Sequence, residues 1–132
     1  VPEMQQNGGA IVNISSSIGQ MTGKGCTAYG TAKGAMTHFT KLLAADLAPK
    51  IRVNAIAVGS TATSALETVL TNDTVHNAMV QATPLKRLGE PEDIALGALY
   101  LSSPASAFVT GSIMDIHGGI TSANLDLDLA GL

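Results

Sequence analysis

Apolar residues along this chain cluster in two kinds of run. Residues 10–14 form a short β-branched run without clean alternation, as in a strand covered on both faces of a parallel sheet. Ile51–Val58 and residues 112–116 repeat that pattern. Between the first two runs, Tyr29, Ala32, Met36, Phe39, Leu43 and Leu47 recur every three or four positions and Pro49 closes the series. This spacing predicts one long helix over 27–48. Between the second and third, Leu66, Val69 and Leu70, then Val75, Met79 and Val80, predict two short amphipathic helices broken at Thr71-Asn-Asp. Pro91-Glu-Asp opens a further helix, with proline in its first turn and acids at its positive end, running to about residue 101. The order strand, helix, strand, helix, strand predicts right-handed βαβ units and a parallel α/β sheet. Residues 1–6 read as the last turn of a helix, with Asn7-Gly8-Gly9 as its stop, so the chain is expected to start inside an element.

Composition narrows the class of protein. In 132 residues, 45 % are hydrophobic and only 3 % aromatic, so the core is expected to be aliphatic and packed around Ala and Gly. The net charge of −3 gives no basic footprint, which argues against a nucleic-acid partner. No apolar run approaches the roughly eighteen residues that span a bilayer, and no signal-peptide pattern opens the chain, so no membrane partner is expected. Cys26 is the single cysteine and cannot form an internal disulfide, which makes a cytoplasmic location the expectation. Cys26 itself reads as a passive small residue.

The candidate chemistry sits in Tyr29-Gly-Thr-Ala-Lys33. Four residues apart on a helix, Tyr29 and Lys33 share a face, one turn from each other. A phenol ordinarily titrates at about pH 10, and an adjacent ammonium favours its ionised form, so the pair can act as an acid–base catalyst. Ser16, from a separate segment, would hold a substrate oxygen beside the phenol. The spacing alone is short, and a tyrosine half-buried in a core beside a solvated lysine has the same signature. A Ser16 nucleophile of the hydrolase type lacks a Gly-x-Ser-x-Gly elbow. His38, His76 and His117 show no metal-ligand spacing, so no metal is expected. Glu90, Glu92 and Asp93 surround a helix start and read as capping acids.

The runs Ile11-Val-Asn-Ile-Ser-Ser16-Ser, Tyr29-Gly-Thr-Ala-Lys33, Ile51-Arg-Val-Asn-Ala-Ile-Ala, Pro84-Leu-Lys-Arg-Leu-Gly-Glu-Pro-Glu-Asp-Ile94, Phe108-Val-Thr-Gly111 and Gly118-Gly119 carry a resemblance. In this order they resemble the C-terminal half of a short-chain dehydrogenase/reductase over residues 1–121, with 122–132 as a tail beyond the family core. The resemblance implies a Rossmann-type doubly wound parallel sheet of which strands five to seven are present. It implies an NAD- or NADP-dependent oxidoreductase interconverting a secondary alcohol and a ketone. In that scheme Ser16 hydrogen-bonds the reacting oxygen, Tyr29 moves its proton and contacts the cofactor, and Lys33 supports the phenolate and holds the nicotinamide ribose. Ser15 is then the strand end, and Asn13 has a structural hydrogen-bonding role. Gly59, Thr61 and Thr63 are the implied contacts to the nicotinamide half, although Val58 stands where the family usually has proline and Thr61 where a branched aliphatic is common.

The resemblance further implies a homo-oligomer, a tetramer or dimer, built on the long helix and on the last strand with its flanking helix. The Gly-rich pyrophosphate turn of such a fold would precede residue 1. A non-catalytic fragment or assembly subunit lacking the dinucleotide half is therefore the alternative reading. Residues 65–70 with 75–84 resemble the corresponding stretch of the bacterial 7α-hydroxysteroid dehydrogenases. Leu66, Val69, Leu70, Val75 and Met79 there would either line a lid over an apolar substrate or pack into the core.

Overall fold

The computed structural model describes residues 1–125, with the side chains of Thr68 and Val69 excepted; Val69 as a lid residue and the tail past Leu125 lie outside the described residues. Helix α1 (Pro2–Asn7) leads into strand β1 (Gly9–Ser16), helix α2 (Thr27–Leu47) and strand β2 (Ile51–Val58). Helices α3 (Glu67–Leu70), α4 (Asp73–Ala82) and α5 (Pro91–Ser102) follow, and strand β3 (Ile113–Ile116) completes a parallel sheet in the order β1-β2-β3. The predicted break at Thr71-Asn-Asp falls between α3 and α4, where the Asn72 side chain caps α4 by accepting from Val75 N at 3.2 Å. Strand β1 is three residues longer than its apolar core, taking in Gly9, Ser15 and Ser16, because each pairs in register with β2: Ser16 lies opposite Val58.

The middle strand explains its own composition. Ile51, Val53, Asn54, Ala55, Ile56 and Ala57 are each at most 1 % exposed, so β2 is covered on both faces. Successive side chains of a strand point to opposite faces. Ile51 and Val53 pack with Ala44, Leu43 and Leu47 of α2, whereas a Cβ built on Gly97 of α5 would meet Ile56 Cδ1 at 3.5 Å. Helices α2 and α5 therefore lie on opposite faces of the sheet. On β1 the same alternation turns Ile11, Asn13 and Ser15 toward α2, where Asn13 Nδ2 donates to Thr40 Oγ1 at 3.0 Å.

Helix α2 keeps its predicted span and part of its predicted face: Leu43 and Leu47 pack on the sheet beside the buried Thr40 and Ala44, while Tyr29 is 54 % and Phe39 50 % exposed. Asn54, buried on the α5 face, donates from Nδ2 to Val109 O at 3.0 Å and accepts at Oδ1 from Ser112 N at 3.0 Å. Arg52 reaches the same loop, donating to Val109 O and Ser103 O at 3.2 Å each. The Phe108-Val-Thr-Gly111 motif thus fastens the segment before β3 onto the start of β2, with Gly111 N donating to Val53 O at 2.8 Å.

Candidate active site

Strands β1 and β2 end side by side at Ser16 and Val58, and in a parallel sheet ligands bind beyond the carboxyl ends of the strands. Tyr29 is the third residue of α2, in its first turn, and its ring lies 5.7 Å from Lys33 Nζ, within reach of a cation–π interaction. Lys33 Nζ donates to Ile14 O at 3.0 Å, which fixes the ammonium against β1 and leaves two of its three N–H groups for another partner. Among the described residues the Tyr29 side chain makes no other polar contact. Ser16 Oγ accepts from Ile18 N at 3.3 Å and lies 3.4 Å from Val58 O, the latter a long bond from which its hydrogen is easily redirected. Ser16 and Tyr29 both line one cavity of about 250 Å³, so the structure brings these two predicted residues to a single space.

The adjacent serines have different work. Ser15 is 2 % exposed, and its Oγ donates to Lys33 O at 2.9 Å and lies 3.2 Å from Thr37 Oγ1. It ties the strand to the helix that carries Lys33. Ser17 is buried and begins a short 3₁₀ turn over Ser17–Gly19, whose N-cap is Ser16.

That turn sits on α2 through three glycines. A Cβ on Gly19 would lie 2.7 Å from the Lys33 carbonyl carbon and 2.8 Å from Gly34 N. From the helix side, a Cβ on Gly30 would lie 3.2 Å from Ile18 O, and one on Gly34 3.2 Å from Gly19 O. Backbone meets backbone here: Gly19 has no room for a side chain, while Gly30 and Gly34 sit at a tight 3.2 Å. The sequence reading missed these residues as parts of the site. A Gly-x-x-x-Gly pair on one face of α2 is the signal that bears on it, since small residues four apart mark a close helix contact.

The second predicted group is arranged unevenly. Gly59 N donates to Ile116 O at 3.0 Å, and a Cβ at Gly59 would fall 2.5 Å from His117 Cβ, so its lack of a side chain serves the meeting of β2 with the end of β3. Thr61 is 6 % exposed, with its hydroxyl donating to Gly59 O at 3.2 Å, and its backbone bridges to Gly89. Its side chain is turned inward. Thr63 is exposed, and its carbonyl accepts from Leu66 N at 2.9 Å. Of the lid candidates, Leu66 lines the cavity with Tyr29, and Met79 is 2 % exposed in the core.

A larger cavity of about 540 Å³ holds the strongest electrostatic pair in the described residues but none of Ser16, Tyr29 or Lys33. There Arg87 grips Asp93 in bidentate fashion at 2.6 and 2.9 Å, and Asp93 Oδ2 also accepts from Glu90 N at 2.8 Å. The guanidinium, and after it the Glu90 N–H, pull the Asp93 carboxyl down to about 2. Arg87 pairs with Asp93 and also donates to Leu88 O at 2.9 Å, and Glu90 and Asp93 form the capping box at the start of α5, in agreement with the capping role expected of them.

A family model described as enoyl-(acyl carrier protein) reductase matches residues 1–121. The chain belongs to the short-chain dehydrogenase/reductase family. It is 53 % identical to an uncharacterised oxidoreductase of Mycobacterium tuberculosis over 134 residues, covering 100 % of this chain and 51 % of that protein. It is 42 % identical to the 7α-hydroxysteroid dehydrogenase of Escherichia coli, over 89 % of this chain and 47 % of the enzyme. A structure of a 7α-hydroxysteroid dehydrogenase with NADH and 7-oxo glycochenodeoxycholic acid superposes with a TM-score of 0.84, at 42 % identity over 89 % of this chain and 47 % of that one. A gluconate 5-dehydrogenase of Burkholderia cenocepacia, in complex with NADP and tartrate, superposes with a TM-score of 0.85 at 29 % identity, over 91 % of this chain and 48 % of that one. The chain spans about half the length of the curated relatives it matches.

Proposed function

We propose that this chain carries the acid–base half of an NAD(P)-dependent dehydrogenase that interconverts a secondary alcohol and a ketone. The observation that carries the reading is the Lys33 ammonium held 5.7 Å from the Tyr29 ring, with the Ser16 hydroxyl facing the same cavity. In the reducing direction, Ser16 donates a hydrogen bond to the ketone oxygen and Tyr29 gives that oxygen its proton as the alcohol forms. In the oxidising direction Tyr29 takes the proton back. Through both events the Lys33 amine stays 5.7 Å from the ring, tied to the Ile14 carbonyl.

The residues present suit a nicotinamide nucleotide: the two uncommitted Lys33 N–H groups match vicinal ribose hydroxyls, and Gly59, the Thr61 backbone and exposed Thr63 edge the same end of the sheet. Such a cofactor, when bound, supplies or accepts the hydride at carbon. Relatives solved with NADH and with NADP support either nucleotide. Exposed Phe39 and Leu42 on α2, and Leu96 and Leu99 on α5, support the expected homo-oligomer through those two helices.

The test is NADH- and NADPH-dependent reduction of a ketone panel by the protein as its gene encodes it, beside Ser16→Ala. Wild-type turnover with one nucleotide and a loss of at least about tenfold in Ser16→Ala, as expected of a lost hydrogen bond to the reacting oxygen, support the reading. Absence of both turnover and nucleotide binding would contradict it and favour the assembly subunit.

A further inference from the structure

The cavity at Tyr29 has a chemical character beyond its two reactive hydroxyls. Apart from these, its surface comes mainly from Ile18, Met21, Leu66, Ile120 and Leu125, and no charged side chain is among the described residues that line it. Two of its remaining polar side chains, Ser60 and Asn124, are bonded to each other. Ser60 Oγ donates to Asn124 Oδ1 at 2.7 Å, Asn124 Nδ2 donates to Thr83 Oγ1 at 3.1 Å, and Thr83 Oγ1 donates in turn to Met79 O at 2.8 Å. The wall therefore offers few polar groups to a ligand rich in hydroxyls and no charged group to an anion.

Part of that wall is the segment after β3. Ala123 N donates to Thr22 O at 3.3 Å, and Ala123 fits against Gly23, where a Cβ would come within 2.7 Å of Ala123 Cβ. Asn124 then joins two points that are far apart in the chain: Ser60, just past β2, and Thr83, just past α4. These bracket the segment that carries Leu66. One side chain thus fastens both ends of the lid to the segment 120–125.

We propose that the site takes an uncharged secondary alcohol or ketone with a largely apolar body, and that Asn124 is a positioning residue that holds the wall on which this body rests. The proposal rests on the dehydrogenase reading above. An ionised carboxylate or phosphate placed against this wall would lose water and gain no charged partner, and each sugar hydroxyl would lose water for few polar contacts.

The experiment compares 4-tert-butylcyclohexanone, 4-oxocyclohexanecarboxylate and D-fructose as substrates of the protein as its gene encodes it, with the preferred nucleotide. The apolar ketone is expected to exceed the other two in kcat/KM by at least about a hundredfold, the scale on which unpaired polar groups are rejected. Asn124→Ala is expected to raise KM for the apolar ketone by about tenfold while kcat changes less than about threefold, since a wall contact acts on binding shared by ground and transition states. Adding Ser60→Ala to Asn124→Ala should cost little more, because the pair acts as a unit. If the Asn124 variant fails to fold, Leu66→Arg serves: it should raise kcat/KM for the carboxylate and lower it for the tert-butyl ketone. A preference for the carboxylate or for fructose, or an unchanged preference in Leu66→Arg, overturns the proposal. Tyr29→Phe separates the two levels: equal loss on all three ketones keeps the dehydrogenase reading whatever their order, and no loss on any removes that reading.

Discussion

Replacing Gly19 by alanine tests what holds the acid–base group together. The added Cβ would stand 2.7 Å from the Lys33 carbonyl carbon, some 0.7 Å inside the 3.4 Å where ordinary contact begins, and its neighbours are helix backbone, which cannot rotate away. Gly19 is not among the residues with positive φ, so the substitution strains the contact and not the torsion. Forcing an extra carbon into a filled interface costs about 1–3 kcal/mol. The 3₁₀ turn that follows Ser16 must also back away from the turn of α2 that carries Lys33. A misplacement on the order of 1 Å costs about a hundredfold in rate, so a loss of ten- to a hundredfold in kcat/KM is expected with the fold retained. Chemical denaturation and steady-state kinetics on the same preparation read the two effects. Gly34→Ala is the internal control: its Cβ meets Gly19 O at 3.2 Å, a milder clash, and alanine in mid-helix returns roughly 0.5–1 kcal/mol. It should sit near wild type in stability and lose less activity than Gly19→Ala. Wild-type stability and rate in Gly19→Ala would refute the idea that this backbone contact sets the geometry.

Two further outcomes follow from buried and charged groups. Asn54→Ala removes, from a fully buried position, the acceptor of Ser112 N and one of the two donors to Val109 O, the other being Arg52, which should cost about 1–3 kcal/mol in denaturant midpoints converted to free energy. Asp93 is held at about 2, below its usual 3.8, so its pairing with Arg87 supports the fold above the ordinary carboxylate range and is lost as pH falls through it. The difference in Tm between wild type and Asp93→Asn should therefore be full at pH 7 and shrink between about pH 4 and pH 2; a difference that grows on acidification would contradict the assignment.

Elements whose cause is local could be read from the chain. Strand β2 falls on Ile51–Val58 as its largely apolar run suggests, and α2 starts and stops where Pro49 and the periodicity put it. The Tyr29–Lys33 spacing was legible because a helix converts four residues into one turn. What was not legible has its cause far along the chain. Gly19 reads as an ordinary loop glycine until α2 lies against it. Asn54 gives no local sign that its partners are Val109 and Ser112, more than fifty residues on. Thr61 matches a family position, but the bridge to Gly89 is what turns its side chain inward. Residues 122–132 read as a tail, and the ties of Ala123 to Thr22 and of Asn124 to Ser60 and Thr83 depend on three loops meeting in space.

The central claim is that Tyr29 moves the proton. Single-turnover hydride transfer, followed by stopped-flow nucleotide absorbance at saturating cofactor, separates that step from binding. In Tyr29→Phe the account predicts a transfer rate lower by at least about a hundredfold, the scale of a lost general acid, with nucleotide affinity changed by no more than about threefold. A transfer rate equal to wild type would contradict it.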